Sequence, residues 1–309
     1  MFAAALRAFF LWLAERRWLG RVAMATPFLR RMPLRFVAGT TLDQALKAVR
    51  TLNATGATAT LDVLGESVDD RASADRAASV YVETIERIAA EGLDANVSIK
   101  LTQMGLELGV DECLAVMAPV ADAGKRHGVF IRIDIESSAT TDRTLEIVER
   151  LRTAGHDVGP AIQSYLHRSP ADVERLAVER VRTRICKGAY AEAPEVAHQE
   201  REAVGDAFVA LTQRLVEADA YPGVATHDPD MIQRVSAIAR QRGIGPDRFE
   251  FQMLYGVRRD LQRTLLKDGY RLRSYVPFGT EWYPYFMRRL AERPANVLFI
   301  LRSVFGERS

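Results

Sequence analysis

A (β/α)8 barrel of the TIM type is the fold class predicted by three features of the sequence. Eight short apolar runs, each bounded by glycine, proline or other turn residues, alternate with stretches of helical periodicity in units of about 30 residues. The 309 residues exceed the roughly 250 that such a barrel typically needs, which leaves room for a short N-terminal helical extension. No Gly-x-Gly-x-x-Gly pattern occurs. The alternative α/β architecture, a doubly wound open sheet, would carry its phosphate-binding first turn there.

The units follow in order. A helix entered through Thr41, with Asp43 in its first turn, covers 42–51. Strand one occupies 57–65, rich in Thr, Leu and Val and closed by Gly65. Apolar residues at three- and four-residue spacing make 71–90 a helix. Strand two is 96–102, followed by a helix over 111–127. In 129–136 apolar and charged residues alternate as in a half-buried strand, the third. A helix over 141–154 leads to strand four, 158–166. The next helix starts at Pro170, a residue suited to a first turn. Strand five is read as 183–190 with its helix over 205–218. Strand six is the short 223–227, its helix 229–242. Strand seven is 249–255, its helix 259–268. In strand eight, 270–278, Leu272, Ser274 and Val276 share one face and Arg273 and Tyr275 the other, and Pro277 and Gly279 end it. A last helix is entered through Thr280 as N-cap, with Glu281 in its first turn.

Residues 39–309 thus form the barrel, and 1–38 read as N-terminal amphipathic helices. The first 14 residues are apolar but interrupted by Arg7 and closed by Glu15, Arg16 and Arg17, too short a run to span a bilayer. Their apolar faces either pack on the barrel or rest on a membrane surface. The net charge of +2 and the absence of a Lys/Arg run give no footprint for nucleic acid. Cys113 and Cys186 form neither a CxxC nor a zinc pattern, which points to a reducing cytoplasm.

In a barrel the reacting groups lie at the carboxyl ends of the strands. Polar residues that a strand interior should avoid collect there: Asp62 and Glu66, Lys100, Asp134 with Arg132 and Glu136, Gln163, Arg184, Lys187 and Tyr190, Thr226 and His227, Gln252, then Arg273 and Tyr275. Lys100 and Asp134, on neighbouring strands, fit either a structural ion pair or part of a ligand site. Polar groups near the end of nearly every strand imply a ligand with many hydrogen-bonding atoms. His227 reads as a capping residue, and no HxH, HExxH or acidic triad suggests a metal. In the last helix Arg288 and Arg289 are adjacent and Glu292 lies one turn on. Two guanidiniums side by side can clamp a carboxylate, and a solvated basic helix end is the competing reading.

Several of these stretches together resemble the proline dehydrogenases: Ser98-Ile99-Lys100-Leu101, residues 184–190, Thr226-His227, Phe251-Gln252-Met253-Leu254, and the YxxRRxxE pattern of 285–292. The resemblance covers about residues 35–309, and the short extension is similar to the monofunctional bacterial form. It implies a distorted barrel that holds FAD non-covalently. The implied reaction oxidises L-proline to Δ1-pyrroline-5-carboxylate by hydride transfer from C5 to flavin N5, with electrons passed to a membrane quinone. By motif, Lys100, Arg288 and Arg289 would bind the proline carboxylate, and Tyr190, Leu254 and Tyr275 would surround the ring. Arg184 would sit at the flavin N5 edge. Asp134 would face both substrate and cofactor. Gln163, Lys187, Gly188, Ala189, Tyr190, Thr226, His227, Gln252, Arg289 and Glu292 would contact FAD. Glu66 would close over Arg288 as a gate. Ile185-Cys186 and Asp228 depart from the family's usual Leu-Val and Asn. A flavin barrel acting on another small amine, or a flavin-free barrel binding an anionic metabolite, are the competing readings of the residues.

Overall fold

The computed structural model describes residues 12, 13, 16, 33–65 and 67–292, and for 33 and 288–292 the backbone alone. Most of the 1–38 extension and the whole of the expected gate residue Glu66 lie outside the described residues. The chain runs α1 (Leu42–Asn53), β1 (Thr58–Val63), α2 (Arg71–Ala90), β2 (Ala95–Lys100), α3 (Val110–His127), β3 (Ile131–Asp134), α4 (Thr141–Thr153), β4 (Val158–Gln163) and α5 (Ser169–Val178). It continues with β5 (Arg184–Cys186), α6 (Arg201–Glu217), β6 (Gly223–Ala225), α7 (Pro229–Gln241), β7 (Glu250–Leu254), α8 (Arg259–Lys267), β8 (Leu272–Phe278) and α9 (Trp282–Glu292). The strands close in sequence order, β1 to β8, all parallel, with β8 paired back onto β1.

Parallel strands need crossovers, and crossover helices cover the sheet's outer face. The strand residues facing them are apolar: Leu61, Val97, Ile99, Ile131, Ile133 and Val276 form one buried cluster with helix residues such as Leu46, Tyr81, Ile85 and Met117. Ile162, Ile185, Val224, Phe251, Met253 and Leu272 form the other with Phe208, Leu215 and Val235. Each such side chain stabilises the fold by about 1.5–3 kcal/mol on burial. Tyr81 adds a polar tie from outside: its hydroxyl donates to Ser98 O at 2.9 Å and accepts from Val63 N at 3.3 Å, joining β2 to β1. The helices start where capping residues allow. Thr41, Asp70 and Asp228 accept backbone N–H groups at the heads of α1, α2 and α7.

The alternate strand residues turn into the barrel, and there the chain is polar. Arg184 of β5 bonds to Asp134 of β3 and Ser98 of β2, and Tyr275 of β8 to Asp134. Strands that are not neighbours can meet only through the interior, so these contacts define which face is inside. Room for long side chains comes from small residues in the facing register, Gly159 opposite Arg132 and Gly223 opposite Arg184. A Cβ on Gly223 would lie 2.3 Å from the Gln252 amide nitrogen. At the amino end, Arg132 is buried with Nη1 on Pro160 O at 2.9 Å, and its guanidinium and that of Arg182 lie 4.7 and 4.4 Å from the Phe130 ring centre.

Several expected boundaries shift. Strand five is far shorter than 183–190, because pairing ends at Cys186 and Gly188 turns the chain with φ +122°. Lys187 and Tyr190 therefore stand in a loop. Strand two stops at Lys100, where a 3-10 turn over Leu101–Met104 begins. The helix expected from 205 starts one turn earlier at Arg201, since Gly205 packs on Met231 inside the helix and does not end it. The last helix starts at Trp282, so Thr280 is not its N-cap and Glu281 precedes its first turn. Ahead of the barrel, Ala38 N donates to Pro277 O, and the ring of Phe36 lies 6.1 Å from that of Phe286 in α9.

Candidate active site

At the carboxyl end of β2, Lys100 Nζ donates to Asp62 Oδ1 at 2.7 Å and approaches the Tyr275 hydroxyl at 3.5 Å. Asp62 is fully buried (1% exposed). The Lys100 ion pair is thus with Asp62 on β1 and not with Asp134, its register neighbour on β3. The reason is that Asp134 is already engaged: Oδ1 accepts from Arg184 at 2.7 Å and Ser98 at 2.9 Å, and Oδ2 from Tyr275 at 3.1 Å. Burial opposes the charge on Lys100, but the carboxylates of Asp62, Asp134 and Glu136 outweigh it and hold the ammonium above its ordinary range. Tyr275 is pushed the same way, by burial and then by Asp134 and Asp62. It remains a neutral phenol and a donor.

Arg184 lies at the centre. Its Nε donates to Gln252 Oε1 at 2.6 Å, and its guanidinium carbon sits 5.1 Å from the centre of the Tyr275 ring. Gln252 in turn donates to Glu250 Oε1 at 2.6 Å, and Arg273 Nε to the same oxygen at 2.6 Å. Burial raises the cost of charge on Glu250, yet Arg273 and Gln252 hold its carboxyl below the usual range. From Asp62 to Arg273 the network alternates in sign: Asp62, Lys100, Asp134, Arg184, Glu250, Arg273, with Tyr275 and Gln252 as neutral links. Paired this way, buried charges avoid most of the penalty of burial.

A second group frames the mouth over β4 to β7. Gln163 Nε2 donates to Ile135 O and Glu136 O, and its Oε1 accepts from Ala189 N at 3.2 Å. The Lys187–Tyr190 loop is thereby tied to the end of β3. Lys187 Nζ pairs with Asp228 Oδ2 at 2.7 Å. His227 Nε2 accepts from Leu254 N at 2.8 Å, so a neutral ring with its proton on Nδ1 suits this cap. Thr226 Oγ1 accepts from Asp228 N at 3.1 Å. Cys186 Sγ donates to Ile162 O at 3.5 Å, and burial pushes its thiol up to about 12, which disfavours the thiolate.

Comparison with known proteins places the chain in a family. The family model described as proline dehydrogenase matches residues 45–302. Proline dehydrogenase 1 of Bacillus subtilis subsp. natto is 37% identical over 97% of this chain and 99% of its own length. The proline dehydrogenase of Deinococcus radiodurans is 40% identical over 87% and 89%.

The chain belongs to the proline dehydrogenase family.

Among solved structures, the proline utilization A protein of Bdellovibrio bacteriovorus superposes with a TM-score of 0.81 at 24% identity, over 91% of this chain and 34% of that one. At that identity the likeness concerns the barrel alone. The residues expected at the site from the sequence fall into the geometry described above unevenly. Lys100, Asp134, Arg184, Gln252 and Tyr275 form one hydrogen-bonded unit. Gln163, Lys187, Gly188, Ala189, Thr226, His227 and Leu254 line the same end. Tyr190 stands 44% exposed at the loop tip. Arg288, Arg289 and Glu292 lie on the α9 backbone, ten or more residues beyond β8, with side chains outside the described set, as is Glu66. Sequence reading quoted Ser98 only within a motif, left Glu250 without a role, and placed Asp62 only as a strand end. A glutamate between two phenylalanines in an apolar strand was the signal available for Glu250.

Proposed function

We propose that this enzyme oxidises L-proline to Δ1-pyrroline-5-carboxylate with FAD held non-covalently, and passes the electrons to a quinone, as a step of proline catabolism. The observation that carries the reading is the Lys100 ammonium, kept charged beside the Tyr275–Asp134–Arg184 unit at the mouth of the barrel. Lys100 with Arg288 and Arg289 would bind the substrate carboxylate and so fix which ring carbon faces the cofactor. Leu254, Tyr275 and Tyr190 would enclose the ring, and Asp134 would orient Tyr275 and Arg184. Residues 39–309 would make up this catalytic barrel, with Glu66 and Arg288 as its gate. The amphipathic pattern of 1–38 would suit either packing on the barrel or a membrane surface where the quinone resides, and no helix among the described residues is long and apolar enough to cross a membrane.

The residues present fit FAD. The Lys187–Tyr190 loop exposes Gly188, Ala189 and Tyr190 beside the Lys187 cation. Gly188 closes on the Tyr165 ring so tightly that a Cβ would lie 2.5 Å from it. Lys187, Gln163, Thr226, His227, Gln252, Arg289 and Glu292 would supply donors and acceptors to the cofactor, and Arg184 a cation at its reacting edge. When bound, FAD would supply the acceptor for a hydride, that is, two electrons and one proton. The protein's part is orientation, exclusion of water, and positive charge from Arg184 where negative charge develops.

Gly188→Ala tests the cradle. The φ of +122° and the contact with Tyr165 make any side chain strained there, a cost of about 1–3 kcal/mol. FAD affinity is expected to fall roughly tenfold or more, with the barrel still folded, as read by fluorescence titration of the apoprotein. The reaction itself is tested with proline carrying two deuterons at C5. Mass analysis should find one deuteron retained in the product, and retention of both would contradict oxidation at C5.

A further inference from the structure

The buried residues around Arg184 do more than neutralise it. Three hydrogen bonds close a ring between strands β2, β3 and β5. Arg184 Nη1 donates to Asp134 Oδ1 at 2.7 Å and to Ser98 Oγ at 3.1 Å, and Ser98 Oγ donates to the same Asp134 oxygen at 2.9 Å. Ser98 has no exposed surface, and Arg184 is 6% exposed. On the other side Arg184 Nε is held by Gln252 Oε1. Gln252 cannot turn its amide over, because its Nε2 faces Glu250, and a carboxylate only accepts. The guanidinium plane is therefore fixed at Nε and at Nη1, and Nη2 is the end these partners leave for a ligand.

We propose that Ser98 is a positioning residue of the active site: its hydroxyl closes the ring that sets the plane of Arg184 against Asp134, and so aims the cation at the cofactor's reacting edge. The inference rests on the function proposed above. Without the hydroxyl, Arg184 keeps Gln252 at Nε and Asp134 at Nη1, but its Nη1 end is held by one contact instead of two, and Asp134 loses one of the donors that spread its charge. Both changes weaken the stabilisation of negative charge on the reduced cofactor relative to the oxidised one. Neither removes the contact of Lys100 with Asp62, and the Lys100 ammonium would hold the substrate carboxylate. An alanine at 98 removes one oxygen atom and leaves the strand intact.

The experiment compares the FAD-loaded parent with Ser98→Ala by anaerobic redox titration and by stopped-flow reduction with L-proline. The variant is expected to melt within a few degrees of the parent and to hold FAD stoichiometrically. Its affinity for reduced over oxidised flavin is expected to fall about tenfold, a midpoint potential roughly 30 mV lower for a two-electron couple. Flavin reduction by proline should slow by about the same factor, with the proline concentration at half-maximal rate within about twofold of the parent. Parental potential and reduction rate in the variant would overturn the proposal. So would weakened FAD binding at an unchanged potential, which would make Ser98 a packing residue only. If the parent itself is not reduced by proline, the function fails, and the role of Ser98 in it fails too.

Discussion

Replacing Glu250 by alanine is expected to lower the unfolding free energy by about 3–5 kcal/mol, the cost of stranding one member of a buried pair. Glu250 and Arg273 have side chains only 5% and 13% exposed and meet at 2.6 Å. Without the carboxylate, Arg273 keeps the carbonyl of Ala59 at 2.7 Å as a partner but no counter-charge at that distance. Gln252 loses the acceptor that orients its amide, so the disturbance reaches Arg184. Urea unfolding followed by circular dichroism reads the effect as a lower midpoint at an unchanged slope. Stability within 1 kcal/mol of the parent would mean that solvent or a neighbouring group replaces the carboxylate, and that the charge alternation is not what holds the interior. An apolar residue of matched volume at both positions, Glu250→Leu with Arg273→Met, is expected to recover much of the loss.

Lys100→Met has the largest expected effect on catalysis. Truncating one partner of a desolvated charge pair costs about 2–5 kcal/mol, so kcat/KM for proline should fall at least about thirtyfold. Most of the fall should appear in KM if Lys100 binds the carboxylate in ground and transition states alike. Flavin content should stay at the parental level, because the cofactor would be held from the other side of the site by Lys187 and Arg184. Steady-state kinetics with a dye acceptor, with flavin absorbance as the control, separates the two. Loss of FAD together with activity would show that Lys100 is a structural partner of Asp62 and no more.

The barrel was legible because its two periodicities are physical. Strand residues that pack on helices must be apolar, and a 3.6-residue stripe must face them, so the order of eight units follows from pattern alone. Strand ends were less legible. The run 183–190 is continuous in polarity, and only the backbone of Gly188 reveals that extension stops at Cys186. The site was readable as a set of strand-end polar residues but not as partners. Lys100 and Asp134 are adjacent in register, yet Lys100 pairs with Asp62, and Asp134 is taken by Arg184, Ser98 and Tyr275. Ser98 and Glu250 were given no role for different reasons. A serine in a strand carries no spacing signal, and a glutamate in an apolar run reads as a surface residue until the barrel closes around it.

The central claim is that the charged mouth of the barrel presents proline to a bound flavin. The most direct measurement is the visible spectrum of the purified protein under anaerobic conditions as L-proline is added. The account predicts flavin bands that bleach with proline and do not bleach with proline methyl ester, which lacks the carboxylate that Lys100 and the α9 arginines would hold. Flavin bands that persist through a large excess of proline, or a protein that takes up no FAD at all, would contradict it.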